Sequence, residues 1–214
     1  FVVPTTINPM GYDSHQQNNL SSNFHKQQGK IAKAYEKMGS IPSFSCIPYE
    51  LFQLPESGHS VSFAESNAAV MANSVFGLRT NKESSLSALA SAITGKAPYS
   101  DLRIDSTRDP KIRIKIDKEL KTELDYGVLG YFSGKSVKES CVSLGSNISN
   151  IDMYKTKSLS AALGTSGACG MFSSRDTHDE TISFGKEEEK SVMDELNTTD
   201  SADVIALGSP QLDT

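Results

Sequence analysis

The chain has 214 residues, a formal net charge of −5 and a hydrophobic fraction of 37%, so it can bury a core in one large domain or two small ones. The acidic balance argues against nucleic-acid binding, because no basic face would meet the phosphates. No apolar run approaches the ~18 residues that would suit a membrane span. The three cysteines, Cys46, Cys141 and Cys169, are too few for a disulfide framework. We therefore expect a cytoplasmic protein without nucleic-acid or membrane partners.

The first half of the chain predicts helices joined by short connections. Helix formers with apolar spacing, each run followed by a glycine, predict helices over residues 30–38, 64–76 and 83–94. The polar residues 13–29 predict a loop before the first helix, and residues 42–49 predict a short strand. Asn81 is the predicted N-cap of the third helix.

The periodicity changes in the second half. Strict alternation of apolar and polar residues over 111–117 predicts a half-buried strand. Residues 125–135 are interpreted as strand or turn, and 138–157 as irregular. The final third predicts a helix, a strand, an acidic helix and a strand, over 158–165, 168–173, 187–196 and 203–207. This alternation indicates an α/β fold with layered helices and mixed, partly parallel sheets.

Two short segments near the N-terminus carry groups suited to ligands. Residues 4–9, PTTINP, place Asn8 and Pro9 at a predicted strand end, where polar groups commonly hold ligands. Asn-Pro is equally typical of an ordinary turn. Cys46 lies just before a proline turn, and a thiolate is a soft ligand suited to iron–sulfur clusters. A lone cysteine also serves as a small buried hydrophobe.

Two further clusters lie on and after the second predicted helix. Glu65 would lie at the helix N-terminus, next to N–H groups that favour an anionic ligand. Ser66 and Asn73, seven residues apart, would share one face of the helix, although capping and packing would explain all three residues. Arg79 begins RTNK, residues 79–82, whose cations suit a carboxylate or a phosphate. A solvated turn is the alternative.

Taken in order, these segments resemble the aconitase X family. The matching segments are PTTINP at 4–9, AYEKMG at 34–39, SCIPY at 45–49, AESN at 64–67, ANSVFGLRTNK at 72–82, ITGKAPY at 93–99, YGVLGY at 126–131 and ALGSPQ at 206–211. The resemblance covers essentially the whole chain. It implies that residues 1–214 form part of an aconitase-like catalytic domain. An N-terminal segment, a C-terminal segment and a small swivelling domain would lie outside the chain.

The resemblance also implies an activity. Members of the family remove water from β-hydroxy acids, with iron acting as a Lewis acid. The expected reaction is dehydration of (R)-5-phosphomevalonate to trans-anhydromevalonate 5-phosphate in the archaeal mevalonate pathway, with cis-3-hydroxy-L-proline as the alternative substrate. The resemblance implies four substrate-binding residues, Asn8, Pro9, Glu65 and Ser66. Asn73 and Arg79 are further candidates. A small swivelling subunit or fused domain would complete the site, and no catalytic base is assigned.

The cofactor implied by the resemblance is a 4Fe-4S cluster with Cys46 as its first ligand, a mononuclear iron or a 2Fe-2S cluster being alternatives. The second-ligand position is Ser209, because GSPQ at 208–211 replaces the family's Gly-Cys-Pro-His. A serine oxygen is a harder and poorer cluster ligand than a thiolate. Ser209 and Gln211 therefore leave open a non-catalytic relative that has lost its cluster. Cys141 and Cys169 match no ligand of the family and are expected to be structural.

Overall fold

A computed structural model describes residues 1–8, 22–177 and 179–197 of the chain. The α-helices are α1 (Ser22–Lys37), α2 (Pro48–Leu51), α3 (Ser66–Ser74), α4 (Ser85–Thr94), α5 (Glu123–Ser136), α6 (Met153–Ser166) and α7 (Lys186–Leu196). The strands are β1 (Ile112–Ile116), β2 (Cys141–Ser143), β3 (Met171–Ser173) and β4 (Glu180–Phe184). Short 3-10 helices occupy Asp101–Arg103, Asp105–Arg108 and Ser146–Ile148. The predicted α/β fold class is confirmed.

The described strands form one parallel sheet in the order β3-β2-β1-β4. Arg113 of β1 lies opposite Ser143 of β2, and Cys141 of β2 lies opposite Met171 of β3. On the other side, β1 pairs with β4 along its whole length. Parallel neighbours need crossover connections, and α5 and α6 supply them between β1 and β2 and between β2 and β3. The chain then passes back across β2 and β1 to add β4 at the opposite edge.

The main core lies between this sheet and the helices α5, α6 and α7. Its most deeply buried side chains include Ile114, Leu129, Val142, Leu144, Leu159, Leu163 and Phe184. Glycine allows α5 and α6 to pack closely, since a β-carbon on Gly130 would lie 2.5 Å from the carbonyl oxygen of Leu159. This packing places the largest apolar core of the described residues mainly in the second half of the chain.

Helix α3 joins the N-terminal half to the sheet. All its residues except the first and the last are buried, and it packs against α6 and β3. Its alanines keep the helix narrow, and Gly164 of α6 lies so close that an added β-carbon would be 2.7 Å from the carbonyl oxygen of Ser66. A second, smaller core of Ile47, Tyr49, Ala68 and Met71 covers its other side.

Several predicted elements of the first half need correction. Helix α1 begins at Ser22, so the final residues of the predicted 13–29 loop are helical. The predicted strand over 42–49 is wrong: Phe44 has a positive φ of 48°, which interrupts an extended chain. Helix α2 begins at Pro48, within the predicted strand, and this proline lies in its first turn. Helix α4 is capped by Ser84, whose side chain accepts from the N–H of Ser87, and not by Asn81.

In the second half the largest error concerns residues 125–135. The prediction of strand or turn is wrong, because they lie within α5. A capping box starts that helix: Thr122 accepts from the N–H of Asp125, and Asp125 accepts from the N–H of Thr122. The stretch 138–157, predicted as irregular, holds β2 and the start of α6. The predicted strand at 203–207 lies outside the described residues.

Candidate functional site

The candidate site is built around the first residues of α3. Glu65 is the N-cap residue and has an extended backbone, with φ −82° and ψ 122°, but its side chain makes no capping hydrogen bond. Its Oε1 atom is buried and has no hydrogen-bond partner. Burial raises the pKa of this carboxyl, and the backbone N–H groups of Ala64 and Glu65 offset only part of that effect. A half-buried carboxyl with one buried, unpartnered oxygen at the start of a helix is the strongest functional signal of this region.

Glu65 lines a cavity of about 920 Å³. Most of the cavity wall is apolar, with side chains such as Ile7, Leu54 and Phe63. The wall also contains Asn8 and Ser40, and the Ser40 hydroxyl is a second buried oxygen without a hydrogen-bond partner. An apolar cavity with a few inward polar groups is typical of a small-molecule site.

Backbone hydrogen bonds hold Asn8 at this cavity. The N–H of Ile7 donates to the carbonyl of Ile41 at 3.0 Å, and the N–H of Ile41 donates to the carbonyl of Thr5 at 2.8 Å. The Ser43 hydroxyl donates to the carbonyl of Ile7 at 2.9 Å. The N-terminal segment is therefore fixed against the turn that follows α1. Pro9 lies outside the described residues.

A second, smaller groove lies on the other side of the α3 start. It measures about 470 Å³ and is lined by Cys46, Ser66 and Asn67 together with residues of α5, α6 and α7. The Asn67 amide donates to the carbonyl of Cys46 at 2.9 Å, and the N–H of Ile47 donates to the Ser45 hydroxyl at 3.1 Å. These bonds fix the backbone at the half-buried Cys46. Glu65 and Ser66 thus line two different cavities although they are neighbours in the chain.

Asn73 lies at the opposite end of α3 and is 2% exposed. Its amide nitrogen donates to the carbonyls of Thr80 at 2.8 Å and of Gly170 at 3.0 Å. Its amide oxygen accepts from the N–H of Thr80 and from the guanidinium of Arg108, both at 3.0 Å. These four bonds use the hydrogen-bonding capacity of the side chain. The contacts of Asn73 are therefore structural.

Arg79 also lies away from both cavities. Its guanidinium pairs with Asp105 and donates to the carbonyl of Arg103 at 3.3 Å. The next residues of the RTNK segment are also engaged: Asn81 donates to the Ser100 hydroxyl at 3.2 Å, and Lys82 donates to the carbonyl of Gly167 at 2.6 Å. The structure brings Asn8 and Glu65 together, and Cys46 and Ser66 together, but neither pair includes Asn73 or Arg79.

Among the described residues, Cys46 is suited to be one ligand of a metal cluster, but these residues do not supply a complete set of ligands. The thiols of Cys141 and Cys169 are buried, and burial raises the pKa of each to about 12. Cys46 and Cys169 lie near opposite ends of α3. The carbonyl of Cys46 accepts from Asn67, and the carbonyl of Gly170, next to Cys169, accepts from Asn73. Asn67 and Asn73 are six residues apart, a rise of about 9 Å along the helix. Within 1–8, 22–177 and 179–197, no three His, Cys, Asp or Glu side chains converge. Ser209 and Gln211 lie outside these ranges.

Sequence reasoning missed three residues that shape these two cavities. Asn67 holds the carbonyl of Cys46, Ser40 presents a buried hydroxyl, and Lys96 lies on the wall of the larger cavity. Asn67 and Lys96 fall within segments that carry the family resemblance, and that placement was the available signal. Nothing in the sequence around Ser40 points to its role.

Comparison with known proteins identifies the family. Residues 1–106 match the model of the aconitase X first domain, and residues 110–207 match the model of the aconitase X second domain. A crystal structure of Thermococcus kodakaraensis aconitase X in its holo-form aligns with a TM-score of 0.78 and 30% identity, over 91% of this chain and 51% of that chain. The chain therefore belongs to the aconitase X family.

Two kinds of named relative are similar to the chain. The phosphomevalonate dehydratase large subunit of Methanocaldococcus jannaschii is 36% identical over 97% of this chain and 57% of that protein. The cis-3-hydroxy-L-proline dehydratase of Hypocrea jecorina is 34% identical over 80% of this chain and 30% of that protein. The chain spans about half the length of the first of these relatives. None of the helices in the described ranges combines the length and apolar character needed to cross a bilayer.

Proposed function

We propose that this chain is part of the catalytic large subunit of a hydro-lyase that removes water from a small anionic β-hydroxy acid. The observation that carries the proposal is the arrangement at the start of α3. Asn8 and Glu65 line one cavity there, and Cys46 and Ser66 line a groove on the other side. The phosphomevalonate relative and the hydroxyproline relative are both named dehydratases, which supports this class of reaction.

The chain's own residues would bind and orient the substrate. The Asn8 amide can donate to one substrate oxygen and accept from a hydroxyl. Because burial raises the pKa of Glu65, a larger fraction of this carboxyl is protonated at a given pH, and the protonated form donates a hydrogen bond. The apolar wall excludes water, which strengthens both interactions. Ser66 supplies a hydroxyl from the neighbouring groove.

We propose (R)-5-phosphomevalonate as the substrate and trans-anhydromevalonate 5-phosphate as the product, in an archaeal type of mevalonate pathway. The phosphomevalonate dehydratase of Methanocaldococcus jannaschii, a large subunit by name, is matched over nearly the whole of this chain. cis-3-Hydroxy-L-proline is the competing substrate, because a dehydratase of that compound has almost the same identity over a shorter stretch.

We also propose an iron–sulfur cluster, 4Fe-4S rather than 2Fe-2S or mononuclear iron, with Cys46 as one ligand. Such a cluster would act as a Lewis acid toward the leaving hydroxyl. Its other ligands would come from outside the described residues, and Ser209 is a poor replacement for a thiolate. A small swivelling subunit or fused domain is the proposed partner, in line with the name "large subunit" given to several relatives.

The test uses the complete protein that contains these residues, purified without oxygen together with its small subunit. Water elimination from (R)-5-phosphomevalonate and from cis-3-hydroxy-L-proline is measured for the wild type and for Asn8→Ala and Cys46→Ala. We expect turnover of the phosphorylated substrate, a loss of at least tenfold in kcat/KM for Asn8→Ala, and loss of bound iron for Cys46→Ala.

The control is Lys33→Ala, which changes an exposed residue of α1 and should leave turnover and iron content unchanged. Turnover of the hydroxyproline alone would reassign the substrate. Absence of iron, sulfide and turnover in the wild type would support the non-catalytic relative suggested by Ser209 and Gln211.

A further inference from the structure

The segment that follows α4 contributes a charged residue to the larger cavity. Helix α4 ends at Thr94, and Gly95 caps it in the left-handed conformation, with φ 67°, while its N–H donates to the carbonyl of Ser91 at 2.8 Å. Lys96 follows directly, and both Lys96 and Ala97 line the cavity that contains Asn8 and Glu65. ITGKAPY, residues 93–99, thus reaches the candidate site although neither its spacing nor the proposed function assigns it a role.

The backbone just before Lys96 contacts the N-terminal segment. The N–H of Val2 donates to the carbonyl of Ala92 at 3.0 Å. A β-carbon on Gly95 would lie only 3.0 Å from the Val2 side chain, so the two backbones approach closely there. The segment that holds Asn8 and the segment that holds Lys96 are therefore joined along one wall of the cavity.

The charges along this wall are unmatched. Among the described residues that line the cavity, Lys96 has the one cationic side chain and Glu65 the one acidic side chain. No salt bridge joins them, and within the described ranges no acidic group pairs with Lys96. Lys157, by contrast, lies 3.1 Å from Glu50. The exposed Lys96 is thus an available cation on a wall that also contains a buried, unpartnered carboxyl oxygen.

An ordinary helix terminus offers a competing explanation for Lys96. A lysine in or after the last turn of a helix interacts favourably with its carbonyl end. Here Gly95 already caps α4, and the Lys96 N–H donates to the Thr94 hydroxyl at 3.3 Å. The helix end is therefore completed by backbone and hydroxyl groups and does not need the Lys96 ammonium group.

We propose that Lys96 binds the phosphate of a phosphorylated hydroxy acid, whose opposite end carries the oxygens that hydrogen-bond to Glu65 and Asn8. This inference rests on the proposed function and deepens it by assigning a residue that selects the phosphorylated substrate. An ammonium group acts as a point charge for phosphate, and the cavity volume suits a ligand of that size. Lys96 thereby favours a phosphorylated substrate over an amino acid such as hydroxyproline, which has no second anionic group to place there.

The experiment measures steady-state kinetics and calorimetric binding of (R)-5-phosphomevalonate to the complete protein with its small subunit. Lys96→Met should raise KM and Kd at least tenfold and change kcat by less than about twofold, because uniform binding is lost. Lys96→Arg keeps the positive charge and should stay within about threefold of the wild type. Lys33→Met, on the exposed face of α1, is the matched control. Inorganic phosphate should also inhibit the Lys96→Met variant less than the wild type.

The outcomes separate this inference from the proposed function. Turnover with KM and Kd unchanged in Lys96→Met would overturn the role of Lys96 and leave the hydro-lyase standing. If the wild type has no turnover, the calorimetric Kd still decides: a tenfold loss in Lys96→Met supports phosphate binding, and equal affinities refute it. Thermal unfolding of both variants checks that each is folded, and Lys96→Arg provides the comparison if Lys96→Met is not.

Discussion

The two halves of the described chain are held together in different ways. Residues 110–197 pack a parallel sheet against three helices around one apolar core. Residues 1–8 and 22–106 have a smaller apolar core around Ile47 and Met71, and all the described residues that line the larger cavity belong to them. Both halves also bury polar residues, among them Asn73, Thr80 and Arg103 in the first and Ser133, Lys157 and Ser160 in the second.

This difference assigns different tasks to the halves. A close-packed apolar core tolerates little empty space, so the sheet half provides a firm support for α3. In the N-terminal half, which encloses the larger cavity, buried hydrogen bonds of defined geometry support the small apolar core. Arg103 shows this best: its guanidinium bonds Glu83 at 2.8 Å, the carbonyl of Val61 at 2.7 Å and the Ser62 hydroxyl at 3.0 Å. Val61 and Ser62 also line the larger cavity.

Removing Arg103 should have the largest effect on stability. The side chains of Arg103 and Glu83 are 3% and 6% exposed, so Arg103→Ala leaves a buried carboxylate without its counter-ion. Breaking a buried pair in this way costs about 3–5 kcal/mol in the free energy of unfolding. Urea unfolding of the wild type and the variant measures the loss.

The matched control is Lys111→Ala, which breaks an exposed pair with Glu139 at 3.8 Å. Exposed pairs contribute about 0–1 kcal/mol, so this variant should unfold close to the wild type. Equal losses in the two variants would contradict the view that buried polar contacts hold the N-terminal half together.

A smaller change tests the contact between the halves. In Gly164→Ala the new β-carbon would lie 2.7 Å from the carbonyl oxygen of Ser66 and 3.1 Å from its β-carbon. Helix α6 and the start of α3 must then move apart, at a cost of about 1–3 kcal/mol. Because Glu65 precedes Ser66, we expect a rise in substrate KM of about tenfold together with the loss of stability.

Gly185→Ala is the control for that variant. Gly185 precedes α7 and has an extended backbone, with φ −125°. Its β-carbon would meet only the Glu188 carboxylate, at 3.4 Å, and the Asp117 side chain, at 4.0 Å, which are ordinary contacts. Stability and KM should both stay near the wild-type values. A Gly164→Ala variant that loses stability but keeps its KM would show that the start of α3 is not sensitive to the packing of α6.

The same contrast explains which parts of the fold the sequence predicts. The alternation over 111–117 and the acidic run before Leu196 predict β1 and α7 correctly, because each pattern extends over a whole element. Helix α5 is missed because its glycines suggest turns, although they are there to let α6 approach. The capping box at Thr122 and Asp125 is visible in the sequence and outweighs the glycines. Strand β4 is also missed, although polar and apolar residues alternate from Thr181 to Phe184, because four residues give a weak signal and pairing with β1 fixes the strand.

For the candidate site, the resemblance predicts Asn8, Cys46, Glu65 and Ser66, and the structure brings these together in two pairs. Asn73 and Arg79 belong to the same ordered motifs, but their spacing does not show which face each occupies. The buried partners of Asn73 come from residues up to 97 positions away. Such long-range contacts are set by packing, so sequence spacing alone does not separate a structural amide from a binding one.

The smallest expected effect is a gain in stability, in contrast to the losses above, and it follows from replacing Glu65. Because its pKa in the folded state is raised by burial, the folded state holds this proton more tightly than the unfolded state does. The stability that the protonated form gives is complete below the ordinary carboxyl pKa and is lost as the pH rises through the raised folded pKa. Glu65→Gln removes the titration, so its Tm should exceed that of the wild type at pH 8, by about 2–4 °C for each kcal/mol.

Below the ordinary carboxyl pKa of 4.5 the two proteins should melt together, since both then carry a neutral side chain. Glu56→Gln, which changes an exposed carboxylate, is the matched control and should keep the wild-type Tm. A Glu65→Gln variant that melts below the wild type at pH 8 would show that the carboxylate is stabilised in the fold. A more stable variant with weakened substrate binding would mean that the fold keeps a destabilising carboxyl for the ligand, as expected where stability and activity compete.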